Sequence, residues 1–168
     1  GYLVAEDITQ RNVPALYFIL KFLPENKRSA LYTIYAVWRI YGQVVGKSDL
    51  LSPQSKHFKF KETIESIYNN APLDHAVHVA LKETITAFQI PQKYFDDLLE
   101  GVDFNLRHTR YESFVELHRY CYKTAGAASM IVLHILGCQD DHAEQYAINF
   151  GVALQLTNIL SNFRRDYE

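Results

Sequence analysis

The sequence predicts an all-α fold of about seven or eight helices. Apolar residues recur at three- and four-residue spacing from end to end. No run alternates apolar and polar residues as a strand would. Prolines and glycines fall at the boundaries of the periodic segments, where they start and stop helices. Taken in order, "ALYFILKFL" (15–23) is apolar nearly all round and is expected to be buried. Pro24 restarts the chain at "PENKRSALYTIYAVWRIY", in which Leu31, Ile34, Tyr35, Trp38 and Tyr41 form one wide stripe. "LLSPQS" (50–55) reads as a loop with a proline stop, and "FKETIESIY" (60–68) as an amphipathic helix ending at "NNAP". Residues 73–88 form a helix capped by Asp74, and residues 91–106 one with Pro91 in its first turn. Thr109 and Glu112 have capping-box spacing. The helix they open is expected to reach Leu136 past the small residues "AGAAS" (125–129), with Gly137 as its C-terminal cap. Asp141 and Glu144 open a last helix that has no stop signal before the sequence closes on "FRRDYE".

The length of 168 residues favours one domain, 1–168, and 22 Tyr and Phe side chains supply a large core. A formal charge of −2 without a basic stripe argues against nucleic acid as a partner. Cys121 and Cys138 read as two core thiols in a reducing compartment. No apolar run approaches the ~18 residues of a membrane span, and residues 1–12 do not form a signal peptide. A cytoplasmic chain is expected, soluble or peripherally bound. Several features have ordinary readings. His75 and His78 fall at i, i+3 on a solvated face, and His118 and His134 are partly buried. Asp96 and Asp97 point ~100° apart and read as a solvated pair rather than a metal site. Tyr32, Tyr35 and Tyr41 read as core before cation cage, and Arg164–Arg165 as a charged turn.

Three segments carry more. They are "LPENKRSALYTIYAVWR" (23–39), "LLEGVDFNLRHTRYESFVELHRYCYKTAGAASMIVLHILG" (98–137) and "ALQLTNILSNFRRD" (153–166). In order and spacing they resemble the squalene/phytoene synthase family, the head-to-head prenyl transferases, in its bacterial dehydrosqualene and phytoene synthase branch. The resemblance implies an isoprenoid-synthase-like bundle in which two Asp-rich helices face each other across an apolar tunnel. It implies Mg²⁺ held by carboxylates, and diphosphate held by Mg²⁺. The metal would stabilise charge on the departing diphosphate as two farnesyl or geranylgeranyl diphosphates are joined. Aromatic side chains would steady the carbocation.

The family's charged columns are altered here. Where members carry "D-D-x-x-D", this chain reads Gly42, Gln43, Val44, Val45, Gly46. The first Asp of the second motif is Asn162, preceded by Ser161 instead of Arg. The Asp of the "G-x-x-x-D-L" segment is Asn105. Val13 and Ala15 stand where small hydroxyl residues touch diphosphate. The surviving columns imply Tyr35, Tyr120 and Tyr122 as tunnel aromatics. They imply Arg39, Gln155, Asn158, Asn162 and Asp166 as diphosphate contacts, with Asp166 alone left as a metal ligand. One carboxylate cannot assemble a multi-metal cluster, since each charge-assisted contact is worth only ~1.5–3 kcal/mol. The expectation is an impaired or inactive relative that does not bind the Mg²⁺ its family uses. Two readings stay open beside it: an active prenyl transferase with an altered diphosphate site, and a non-enzymatic helical module that binds an isoprenoid or a partner protein. Family members continue with further helices beyond the second motif. A groove left open at Glu168 is therefore expected to self-associate or to be covered by a partner, and peripheral membrane contact is expected of the family.

Overall fold

The computed structural model describes residues 1–41, 52–107, 110–138, 140 and 142–166, with residues 53, 107 and 162–166 described by their backbone alone. The described residues are helical and contain no strand. They form two compact units, Gly1–Ile90 and Pro91–Glu168. The altered first motif, Gly42 to Gly46, lies outside the described residues.

The first unit holds α1 (Tyr2–Asn12), α2 (Pro14–Leu20), α3 (Glu25–Tyr41), α4 (Pro53–Tyr68) and α5 (Ala76–Ala87). The α3 helix is central, packing against α1 and α5. Its buried face includes Ala30, Thr33, Ile34 and Val37, helical neighbours that share one side. Tyr32 is 1% exposed. Its hydroxyl donates to the Tyr17 carbonyl at 3.1 Å, and its ring stacks on Tyr17 with centroids 5.5 Å apart.

Three sequence expectations change here. The 15–23 segment is not buried as a whole. The short α2 rests on its neighbours through Tyr17 and Leu20, and its far side stays open, so Phe18 and Ile19 are 62% and 65% exposed. Pro53 is not a stop. It is the first residue of α4, where a missing N–H costs nothing, and Ser52 caps that helix by accepting from the Ser55 amide at 3.2 Å. The cap of α5 is His75 rather than Asp74. Its Nδ1 accepts from the Val77 amide at 3.2 Å.

His78, one turn further, is not on a solvated face. Its Nε2 lies 2.6 Å from the Tyr41 hydroxyl, which lies 3.3 Å from Thr63 Oγ1. Thr63 donates its proton to the Lys59 carbonyl at 2.9 Å. The Tyr41 hydroxyl thus bridges His78 Nε2 and Thr63 Oγ1. Burial, then the neighbouring His75, push the His78 pKa below its ordinary value. Above about pH 6.5 the imidazole is neutral in the folded and unfolded chain alike. Below that, the unfolded chain takes up the proton first, so stability falls as pH falls through the folded pKa. The melting temperature is expected to drop between pH 7.5 and 5.5, and His78→Gln is expected to flatten that slope. Circular dichroism melts at several pH values check both.

The second unit holds α6 (Gln92–Arg107), α7 (Phe114–Cys121), a π-helical turn (Tyr122–Gly126), α8 (Ala127–Leu136) and α9 (Ala143–Asp166). The α7 helix, the π turn and α8 form one continuous rod, as the sequence predicts from 109 to 136, but it starts later. "T-R-Y-E" and "S-F-V-E" have the same box spacing back to back, and the second is used. Ser113 Oγ accepts from the Glu116 amide at 3.2 Å, and Glu116 Oε2 accepts from the Glu112 amide at 2.7 Å. Gly137 closes the rod in the left-handed region, φ 69°, with its N–H on the Leu133 carbonyl at 2.8 Å. Cys121 is buried, as expected of a core thiol, whereas Cys138, just beyond the Gly137 cap, is exposed. Both are free thiols. His134 is half-buried, but His118 is exposed on α7.

Candidate functional site

The matched residues divide between the two units. In the first, Tyr35 and Arg39 sit four residues apart on α3 and share a face. Both are half-buried. Arg39 Nε donates to Asn12 Oδ1 at 3.1 Å, which ties α3 to the last residue of α1. Asn12 adjoins Val13, the residue before α2, and Ala15 lies exposed in the first turn of α2. A guanidinium therefore stands where the α1–α2 junction presents no hydroxyl. Asn12 was not legible as a site residue, because a polar residue before Val-Pro reads as an ordinary boundary.

In the second unit the π turn is the organising feature. A π turn carries one extra residue and redirects the side chains around it, and such turns recur at functional sites. Two glycines let neighbouring helices reach its backbone. A Cβ on Gly101 of α6 would lie 2.8 Å from Thr124 Cγ2 and 3.2 Å from the Lys123 carbonyl carbon. A Cβ on Gly151 of α9 would collide with the Ala125 carbonyl oxygen and lie 2.5 Å from Ser129 Oγ. Thr124 Oγ1 caps the turn from within, donating to the Tyr120 carbonyl at 2.9 Å.

Tyr120 and Gln155, both matched columns, are brought together. Tyr120 is buried beside Cys121 and Val152, with Phe104, Tyr111, Leu117 and Leu156 around them. Its ring lies 5.3 Å from Tyr111 and 6.0 Å from Phe104. Burial raises the Tyr120 pKa, against hydrogen bonds from Tyr111 and Gln155 that work to lower it. Burial is also the main cause of the raised Tyr111 pKa, with Tyr120 adding to it. The Cys121 thiol is pushed up by burial, which removes it as a nucleophile near neutral pH. This is a buried aromatic cluster whose hydroxyls keep their protons near neutral pH.

Tyr122 has a different engagement. Its hydroxyl donates to Asp97 Oδ2 on α6 at 3.3 Å. Lys123 Nζ lies 2.9 Å from Asp97 Oδ1 and also pairs with Glu100. Burial works to lower the Lys123 pKa, but the hydrogen bonds to Glu100 and Asp97 prevail and raise it. Asp96 and Asp97 are thus not both solvated. Asp96 is exposed, and Asp97 is drawn inward by a cation from the π turn, 26 residues away in sequence. A cavity of about 190 Å³ opens beside this network, lined by Gly101, Phe104, Glu116, Arg119, Tyr120 and Lys123. Asn105 and Asn158 are exposed, away from these contacts. Asn162 and Asp166 lie four residues apart on the final turns of α9, among the residues described by backbone alone. Among the described residues, no three or more His, Cys, Asp or Glu side chains gather as a metal site.

The family model for squalene/phytoene synthase matches residues 11–168. The chain belongs to the squalene/phytoene synthase family. Among curated squalene/phytoene synthase relatives, it is 31% identical over 167 residues to the phytoene synthase of Mycobacterium tuberculosis, covering 99% of this chain and 55% of that one. It is 28% identical over 181 residues to the 15-cis-phytoene synthase of Synechocystis sp., covering 100% of this chain and 53% of that one. Two solved structures share the fold. Squalene synthase HpnC from Alicyclobacillus acidocaldarius superposes with a TM-score of 0.83 at 22% identity, over 99% of this chain and 62% of that one. A dehydrosqualene synthase solved with a ligand gives 0.80 at 23%, over 95% and 55%. The chain spans about half the length of the curated relatives it matches. Among the described residues, no helix is long and apolar enough to cross a membrane.

Proposed function

We propose that this chain keeps the helical scaffold of the squalene/phytoene synthases but does not perform their Mg²⁺-dependent condensation of two prenyl diphosphates. One observation carries the reading: the columns that supply carboxylates hold Gly42, Gln43, Gly46, Asn105 and Asn162, and only Asp166 is left. The family uses Mg²⁺, and Mg²⁺ gives up its water reluctantly, for anionic oxygen in near-octahedral geometry. Glycine supplies no ligand and asparagine one neutral carbonyl. A donor set with a single carboxylate does not fit a metal–diphosphate cluster.

Tyr120 is still seated against Gln155, inside an aromatic cluster. That supports retention of an isoprenoid tail without chemistry on its diphosphate. The test is a thermal melt with a non-hydrolysable farnesyl diphosphate analogue and Mg²⁺, each alone and together. The reading expects no shift that requires both components, and a shift with the analogue that Mg²⁺ leaves unchanged. A melting temperature raised only by the pair would overturn it.

A further inference from the structure

The cavity beside the Lys123 network lies between α6 and the rod, and holds about 190 Å³. An apolar cavity of ~150 Å³ takes up benzene, and drug-sized pockets begin near ~300 Å³, so the occupant is small, about ten non-hydrogen atoms. Part of its wall is aromatic. Phe104 and Tyr120 line it with ring centroids 6.0 Å apart, and Gly101, one turn before Phe104, adds bare backbone. The charged groups around it are not equivalent. Lys123 is already met twice, by Asp97 at 2.9 Å and by Glu100. Glu116 commits Oε2 to the Glu112 amide at 2.7 Å. The Arg119 guanidinium differs from both: among the described residues it has no hydrogen-bond or ion-pair partner.

We propose that this cavity binds a small aromatic carboxylate, with its ring against Phe104 and Tyr120 and its head on Arg119. A planar guanidinium fork matches the two oxygens of a carboxylate. The apolar body is essential to the fit. Three acids, Asp97, Glu100 and Glu116, surround the cavity against two cations, Arg119 and Lys123, so a bare anion is repelled on balance. A ring that leaves water supplies the affinity, and the head selects. An amine of the same shape fits less well, because Glu100 and Glu116 are already engaged and Arg119 opposes it.

Titration of the isotope-labelled whole chain, followed by heteronuclear NMR, tests this with benzoate, benzyl alcohol, benzylamine and phenyl phosphate. Benzoate is expected to move the amide signals of Gly101, Phe104, Tyr120 and Lys123, with a Kd on the order of a millimolar. Benzyl alcohol should bind about tenfold more weakly, and benzylamine more weakly still. Phenyl phosphate should also bind less well than benzoate, because its second charge meets the three acids. Arg119→Gln is expected to lower benzoate affinity about tenfold, to that of the alcohol, the loss of one charge-assisted contact. Arg119→Lys keeps the charge without the fork and should fall between. Arg119 is exposed, so both variants should melt as the parent does. Four results would overturn the proposal: no movement of those amides with benzoate, benzyl alcohol or benzylamine binding as tightly, phenyl phosphate binding as tightly or more so, or benzoate affinity untouched in Arg119→Gln.

Discussion

Gly151→Val is expected to destabilise the second unit by about 3 kcal/mol or more, lowering the melting temperature by about 10 °C. The reason is geometric. Gly151 lies in α9, where that helix crosses the π turn, and its missing Cβ is what allows the crossing. A Cβ there would collide with the Ala125 carbonyl oxygen and crowd Ser129 Oγ at 2.5 Å. The first obstacle is backbone, which cannot rotate aside, so α9 must move off the turn. That movement would also part Gln155 from Tyr120, because Gln155 lies one helical turn beyond Gly151. Gly126→Ala is the matched control. Its Cβ would lie 3.0 Å from Tyr122 Cδ2, a side-chain atom that can yield. The gain in helix propensity, ~1 kcal/mol, roughly offsets that adjustment. Thermal melts of the two variants should therefore differ widely, although each adds to a glycine of the same unit.

The second large effect is a gain. The combined variant Gly42→Asp, Gly46→Asp and Asn162→Asp is expected to acquire Mg²⁺-dependent pyrophosphate binding, tightened at least about a hundredfold over the parent chain. Each restored carboxylate can add a charge-assisted contact worth ~1.5–3 kcal/mol, and 1.4 kcal/mol is a factor of ten. Asn162→Asp alone should gain far less, since it restores one motif and leaves the other without carboxylates. The same substitutions should lower the melting temperature when Mg²⁺ is absent, because clustered like charges repel. Calorimetric titration of pyrophosphate with and without Mg²⁺ measures the gain. A melt in chelator measures the cost. If the variant binds no better than the parent, the loss of carboxylates is not what separates this chain from its family.

Helix positions were legible because the apolar period of α3, α6 and the 114–136 rod is long and regular. Their ends were less so. The start of α7 was ambiguous in principle, since "T-R-Y-E" and "S-F-V-E" satisfy the same rule and only packing chooses between them. At α4 the proline was read as a stop when it is a start, as both roles place Pro beside a polar residue. The exposure of Phe18, Ile19 and Phe22 could not be read from composition, because an apolar helix reveals nothing about how many neighbours it will find. In the site, Tyr120 and Gln155 are each singled out by matched columns, but nothing in the sequence pairs one with the other. The Asp97–Lys123–Glu100 network was not legible either, because it depends on the π turn aiming Lys123 at α6. Nothing in the spacing of "YCYKTAG" distinguishes a π turn from an ordinary helical one.

The most direct measurement is anomalous diffraction from crystals of the unaltered chain soaked with Mn²⁺ and pyrophosphate. Manganese accepts the same oxygen ligands as magnesium and can be located by its own signal. No ordered metal is expected at residues 42–46 or 162–166. Manganese peaks bridging those two segments through pyrophosphate would contradict this.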